Sequence, residues 1–445
     1  MENLKVDHDF KNKTAVDISI ASEEFIEGNS HLKQVIFDFF SNPAEKKTIE
    51  LLITAAHQEP FPIFQELFAI LIDNISQESA DNLPLYLHLL EVFLAFPSSC
   101  FNFQLPIGLI IEKVQPFFQF FPDAISIATH FLQQRIIFTE FGIDQMYVQL
   151  EIPQKVFSSF NLENFDISIQ VLKFFRYFVK AKIAFLPDYR CIYDQLSMMC
   201  LREETPLQDG CIHTLYHFIK QDIKIFKDKL KSKKKQNKRK KHEVTIDLPY
   251  SFLFENIERF QNNTPLFHSY LLKIFRCILR IKSICRHHFE TIQIILPYIN
   301  FILNTSLTND IFDSNTISVA LCCLYNFVYD GRKRTADELT KTFLIDLLFQ
   351  IYEISGYQIK REILYIFIEY SRYADIEVMA AIYQKYDIIA IFVHLLSHDD
   401  PTLCGDLFLS LLDLFDNIET SGQFDFMYQY FFNQEFVEAI SEVGP

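Results

Sequence analysis

Few residues in this chain are spaced for chemistry. Arg286-His287-His288-Phe289-Glu290 sets two imidazoles beside a carboxylate. Neighbouring residues on a helix point about 100° apart, so those two rings diverge from any single ion. His213 and His217 stand at i, i+4 and would supply half of a metal site. The run around them is strongly apolar, and packed or hydrogen-bonded imidazoles are the simpler expectation. Ser30-His31-Leu32-Lys33 has the spacing of a lysine-activated serine, without the SDN and KTG elements that accompany it. The carboxylate pairs Glu23-Glu24, Glu203-Glu204 and Asp399-Asp400 fall in loop-like or helix-start contexts, and capping accounts for the last, before Pro401. With 9 Gly in 445 residues, no glycine-rich phosphate cradle is written here. The expectation is a non-enzymatic chain with no catalytic residue, metal, cofactor or small-molecule substrate.

Charge is the next signal. The formal net charge is −16, yet Lys224–Lys241 holds eleven Lys or Arg against the single acid Asp228, so the remainder carries −26. Like charges at that density repel, and the 227–247 stretch reads as a disordered basic loop. Its candidate signal residues are Lys231, Lys233, Lys234, Lys235, Lys238, Arg239, Lys240 and Lys241. It reads as a solvated loop without a partner, as a nuclear-localisation-type signal, or as a segment that docks on the acidic remainder. Nucleic-acid binding is the weaker reading, because the acidic background repels phosphate and no aromatics interleave with these lysines.

The elements that must carry these residues are helical almost throughout. Apolar residues recur at i, i+3, i+4 and i+7, as in Ile49, Leu52, Ile53 and Ala56. Runs such as IQVLKFFRYFVKAKIAFL are apolar nearly all round, as helices sandwiched between neighbours are. Residues 1–28 mix charges and read as a flexible arm. LPLYLHLLEVFLAF is too short to span a bilayer and carries His88 and Glu91. The nine Cys form no CxxC pair, which suits reduced thiols in a cytoplasmic or nuclear protein. Near the C-terminus three long patterns recur in tandem: Asn315–Tyr329, Gln358–Tyr373 and Thr402–Ile418. Laying Asn326 on Glu369 gives an offset of 43, and Leu344 on Ile388 gives 44. Periods in the low forties mark armadillo or HEAT repeats. Upstream, triplets centred on Tyr177, His217 and Arg276 extend the series to Asn326. The fold expected over 29–445 is an all-α, right-handed solenoid of armadillo-like helical repeats.

From about Asn315 to Val443, the order of helices in IKREILYIFIEYSRYADIEVMAAIYQKYDIIAIFVHLLSHDDPTLCGDLFLSLLDLFDNI resembles the C-terminal armadillo repeats of importin alpha. LKQVIFDFFSNPAEKKTIELLITAAHQ resembles the entry to that family's first repeat. The resemblance implies an adaptor in nuclear protein import that binds basic peptide signals on an acidic concave face. It implies nuclear transport factors among the partners, and no membrane. The family reads signals with Trp and Asn four residues apart on successive third helices. Here the Asn-like positions are Tyr177, His217, Arg276, Asn326, Glu369 and Asn417, and the Trp-like ones are Lys173, His213, Leu272, Cys322, Tyr365 and Asp413. The residues assigned to peptide binding are Asn326, Tyr365, Glu369 and Asn417. Trp is absent from the chain, and a slot for a lysine stem needs an aromatic face. The alternative is a general armadillo-type scaffold for protein complexes with no transport role.

Overall fold

The apolar spacing becomes helices wherever the chain is described. The computed structural model describes residues 30–386, apart from 77–80, 102, 139–141, 161–162, 182–189, 203–204, 237–250, 282–287, 309–311 and 343. Beyond 386 it describes isolated positions only. The expected arm at 1–28 and most of the Thr402–Ile418 pattern lie outside the described residues. The chain divides into two units, Met1–Ile192 and Tyr193–Pro445.

The first unit holds α1 (Ser30–Ser41), α2 (Lys46–Gln58), α3 (Gln65–Ser76), α4 (Leu83–Leu94) and α5 (Ile107–Val114). It continues with α6 (Pro122–Phe138), α7 (Gly142–Gln149), α8 (Ile152–Ser158) and α9 (Phe165–Ala181). Helices α2, α4, α6 and α9 pack one on the next as a row, while α3 and α5 pair beside it. Aromatic contacts fill in around them: Phe61, ahead of α3, meets Phe93 of α4 and Phe96 edge-on, and Tyr147 of α7 stacks on Phe174 of α9. Tyr147 is fully buried, and its hydroxyl donates to the Ala128 carbonyl, which removes the cost of an unpaired polar group.

Helix α10 (Arg190–Cys200) leads into the second unit. There follow α11 (Thr205–Gln236), α12 (Ser251–Glu255), a 3-10 turn (Ile257–Asn262), α13 (Pro265–Leu279) and α14 (Phe289–Ile292). Then come α15 (Ile295–Thr308), α16 (Ser314–Gly331), α17 (Lys333–Lys341), α18 (Leu344–Ile354), α19 (Tyr357–Ser371) and α20 (Ile376–Tyr386). Helices α11, α13, α16 and α19 form one row, and the 3-10 turn, α15 and α18 form a second. The short α17, then α18, then α19 is a three-helix unit in which each helix packs on the next. Helices α16 and α19 coincide with the patterns expected at Asn315–Tyr329 and Gln358–Tyr373.

Caps fix where the row helices begin. Thr264 accepts from the Phe267 N–H at 3.1 Å, with Pro265 in the first turn of α13. Asp313 accepts from the Thr316 N–H at 2.8 Å at the head of α16. A hydrogen bond from the Thr316 side chain, together with that N–H bond, holds the Asp313 carboxyl below its usual range. Cys200, Cys211 and Cys323 are buried and free, and burial pushes their thiols up. Among the described residues, no helix is long and apolar enough to cross a membrane.

One boundary differs from expectation. The basic stretch expected as a loop from residue 227 stays helical through Gln236. Lysine is a good helix former, the stretch has no Gly or Pro, and extending a formed helix costs no new nucleus. Lys231, Lys233, Lys234 and Lys235 therefore stand on helical backbone. Lys238, Arg239, Lys240 and Lys241 lie outside the described residues.

Candidate functional site

The row helices share one burial register. In α9, α11, α13 and α16 the buried pairs are 171–172, 174–175 and 178–179; 211–212, 214–215 and 218–219; 271–272, 274–275 and 278–279; and 320–321, 323–324 and 327–328. Each helix is thus gripped on two sides, and a narrow strip at the first gap, the next two positions and the end is left to solvent. This register corrects the sequence alignment in α13 by one residue. Leu272 is fully buried, so Lys273 and Cys277, not Leu272 and Arg276, match His213 and His217. Packing on both faces sets the register, and apolar Leu272 takes the inward place.

In the second unit the strip on α11 reads His213, Tyr216, His217, Lys220, Lys224 and Lys227. On α13 and just past it, it reads Tyr270, Lys273, Arg276, Cys277 and Arg280. The two strips touch through their rings. Tyr270 stacks on His213 with centroids 4.0 Å apart and planes at 16°. Tyr216 lies 5.8 Å from Tyr270, and the His213 and His217 Nε2 atoms are 3.2 Å apart. Lys273 Nζ sits 4.6 Å over the Tyr270 ring and Lys220 Nζ 5.4 Å over Tyr216, within reach of a cation–π attraction. The cations converge on Cys277. Burial pushes its thiol up, and the fields of Lys220, Arg276, Arg280 and Lys227 oppose that rise. The imidazole pair that could have been half a metal site is instead held by this stacking.

Three acids of the second unit have partners of their own. Asp222 accepts from the Tyr193 hydroxyl. Glu362, on α19, accepts from Ser318 at 2.7 Å and from Gln358 at 3.1 Å. Asp313 is occupied by its cap, within the field of Lys273. The expectation of an acidic face is therefore corrected for α11 and α13: net charge counts acids without placing them, and the outward strip here is cationic and aromatic.

The residues assigned to peptide binding are placed as follows. Asn326 is half-buried, and its amide donates to the Cys322 carbonyl one turn back. Tyr365 is half-buried with the Arg361 guanidinium 5.6 Å from its ring centroid. Glu369 is 2% exposed and takes a 2.7 Å bond from Arg372, so its carboxylate faces its own helix rather than solvent. The reason is that all of 366–371 is buried, which closes the strip seen on the earlier helices. Asn417 lies outside the described residues. Tyr325 and Tyr329 stack at 6.1 Å, and Tyr329 is 57% exposed. Sequence reasoning missed Tyr216, Lys220, Tyr270, Lys273 and Arg280; the signal was a Lys or Arg three or four residues after each Tyr.

The chain is an all-α helical-repeat protein. It is similar to an engineered protein whose crystal structure was determined by the Northeast Structural Genomics Consortium, with a TM-score of 0.59 and 10% identity. That likeness covers 93% of this chain and 98% of that one, and at such identity it speaks for the fold alone. A second similar structure comes from work on a phosphorylation switch controlling the interaction between cadherin and beta-catenin. Its TM-score is 0.37 at 13% identity, over 96% of this chain and 93% of that one, a score too low to bear on fold or function. No family model matches the chain, and no curated protein does.

Proposed function

We propose that this chain is a non-enzymatic protein-binding scaffold whose second unit takes an extended acidic segment of a partner protein. The observation that carries this reading is the outward strip of α11 and α13, where Lys220, Lys224, Lys273, Arg276 and Arg280 are interleaved with Tyr216 and Tyr270. Carboxylates on the partner would take charge-assisted hydrogen bonds from Arg276 and Arg280, and its apolar side chains would lie on the two tyrosine rings. In a chain of net charge −16, this cationic strip is a place, among the described side chains, where an acidic segment meets attraction.

The importin-alpha-like reading, a nuclear-import adaptor for basic peptide signals, draws support from the order of the C-terminal helical patterns and from the amide of Asn326. It needs a row that accepts cations, and the Lys and Arg side chains of the outward strip favour the opposite charge.

Fluorescence anisotropy separates the two. A labelled Asp/Glu-rich peptide containing one Phe and one Leu is expected to bind the full chain saturably, and more weakly as salt rises. Each exposed pair is worth roughly 0.2–1 kcal/mol, and reversal replaces attraction with repulsion. The double variant K273E/R276E is thus expected to weaken binding by about 10- to 30-fold, or about 1.4–2 kcal/mol. Binding of a Lys/Arg-rich peptide instead, strengthened by those reversals, would overturn the proposal in favour of the import reading.

A further inference from the structure

We propose that His88, Glu91 and Asp123 in the first unit form a zinc site that ties α4 to α6. His88 and Glu91 stand at i, i+3 on α4, and Asp123 lies in the first turn of the neighbouring helix α6. Their ligand atoms all lie within 4.8 Å of one another. The distances leave room for an ion among the three ligands. His88 Nδ1 is 3.5 Å from Asp123 Oδ2 and 3.7 Å from Glu91 Oε2. A charge-assisted hydrogen bond between such groups closes to about 2.7–2.9 Å. Ligands held at about 2.0–2.2 Å from a tetrahedral ion are instead about 3.3–3.6 Å from each other. The 3.5 Å spacing from His88 to Asp123 falls on that tetrahedral edge, and the 3.7 Å spacing to Glu91 lies just beyond it.

The groups behind the ligands fit the same reading. His57 Nε2 is 3.5 Å from His88 Nε2, where it can accept the proton that His88 carries on Nε2 when Nδ1 binds metal. Ser126 donates to Glu91 Oε1, which leaves Oε2 turned toward His88. Two carboxylates balance a divalent charge; with no ion between them, they repel. One imidazole with two carboxylates favours zinc over magnesium or calcium, which take all-oxygen shells. The side chains of His88, Glu91 and Asp123 are 40%, 32% and 30% exposed, which leaves an open coordination position for water.

The test is zinc binding to the full chain, titrated in competition with a chromophoric zinc indicator, with the thermal midpoint followed in parallel. One equivalent is expected to bind and to raise the midpoint. H88Q and D123N are each expected to weaken binding at least about 100-fold and to abolish that rise, and H57A to weaken it about 10- to 100-fold. H217Q, in the stacked pair of the second unit, is expected to bind zinc as the parent does. Two ligand variants on different helices guard against one failing to fold. Undiminished binding in both H88Q and D123N, loss of binding in H217Q alone, or no stoichiometric binding by the parent would each overturn the site.

Discussion

Lowering the pH from 7 to 5 should destabilise the second unit through a single buried imidazole. His268 sits on the inward side of α13, the helix whose outward side carries Lys273 and Arg276. Its ring is packed among Phe301, Phe312 and Tyr298, and Nδ1 meets the Tyr298 hydroxyl. Burial lowers its pKa from 6.5 to about 4, although hydrogen bonds with the backbone of Asn263 and Gln261 favour the charged form. The unfolded ring titrates near 6.5. Between pH 7 and pH 5 the folded ring stays neutral while the unfolded ring takes up nearly one proton. The unfolded state thus binds more protons, and stability falls as pH falls, by about 2 kcal/mol over this window. The assay is urea unfolding by circular dichroism at pH 7 and pH 5, for the parent and for H268N. The parent should lose about 2 kcal/mol more than the variant across the same two pH values. Other imidazoles, such as His130 in the first unit, are present in both proteins and cancel in the difference. Equal pH dependence in the two proteins would refute the reasoning, whatever the variant's stability at pH 7.

Two further substitutions test the packing that holds the outward strip. E369A removes a buried carboxylate from the half-buried Arg372 guanidinium and should lower stability by about 1–3 kcal/mol, read as a thermal midpoint, with acidic-peptide affinity unchanged. Unchanged stability would mean that the Glu369–Arg372 pair contributes nothing. G331A places a Cβ 2.0 Å from Thr335 Oγ1, a buried hydroxyl already bonded to the Phe327 carbonyl. Because Thr335 has no room to retreat, a loss of about 1–3 kcal/mol is expected, and a neutral result would show that the α16–α17 turn can open.

Much of the fold was legible in the sequence because helical periodicity is local. The i, i+3, i+4, i+7 spacing in α2, the near-continuous apolar faces of α9, and the offset of 43 between Asn326 and Glu369 all follow from neighbours along the chain. Composition likewise signalled the lack of tryptophan slots. What tertiary packing alone decided is which side of each helix meets water. Glu369 and Asn326 occupy equivalent places in a sequence alignment, yet α19 buries the first and α16 leaves the second half open. The one-residue shift in α13 has the same origin, since Leu272 and Lys273 are both admissible until a neighbouring helix claims one of them. Net charge failed for a related reason: a sum over 445 residues is silent about which helix face carries the lysines. The His88, Glu91 and Asp123 cluster is also tertiary, since two of its members share α4 and the third arrives only when α6 packs against it. Secondary structure depends on short-range spacing, whereas a site depends on contacts between helices far apart in the chain.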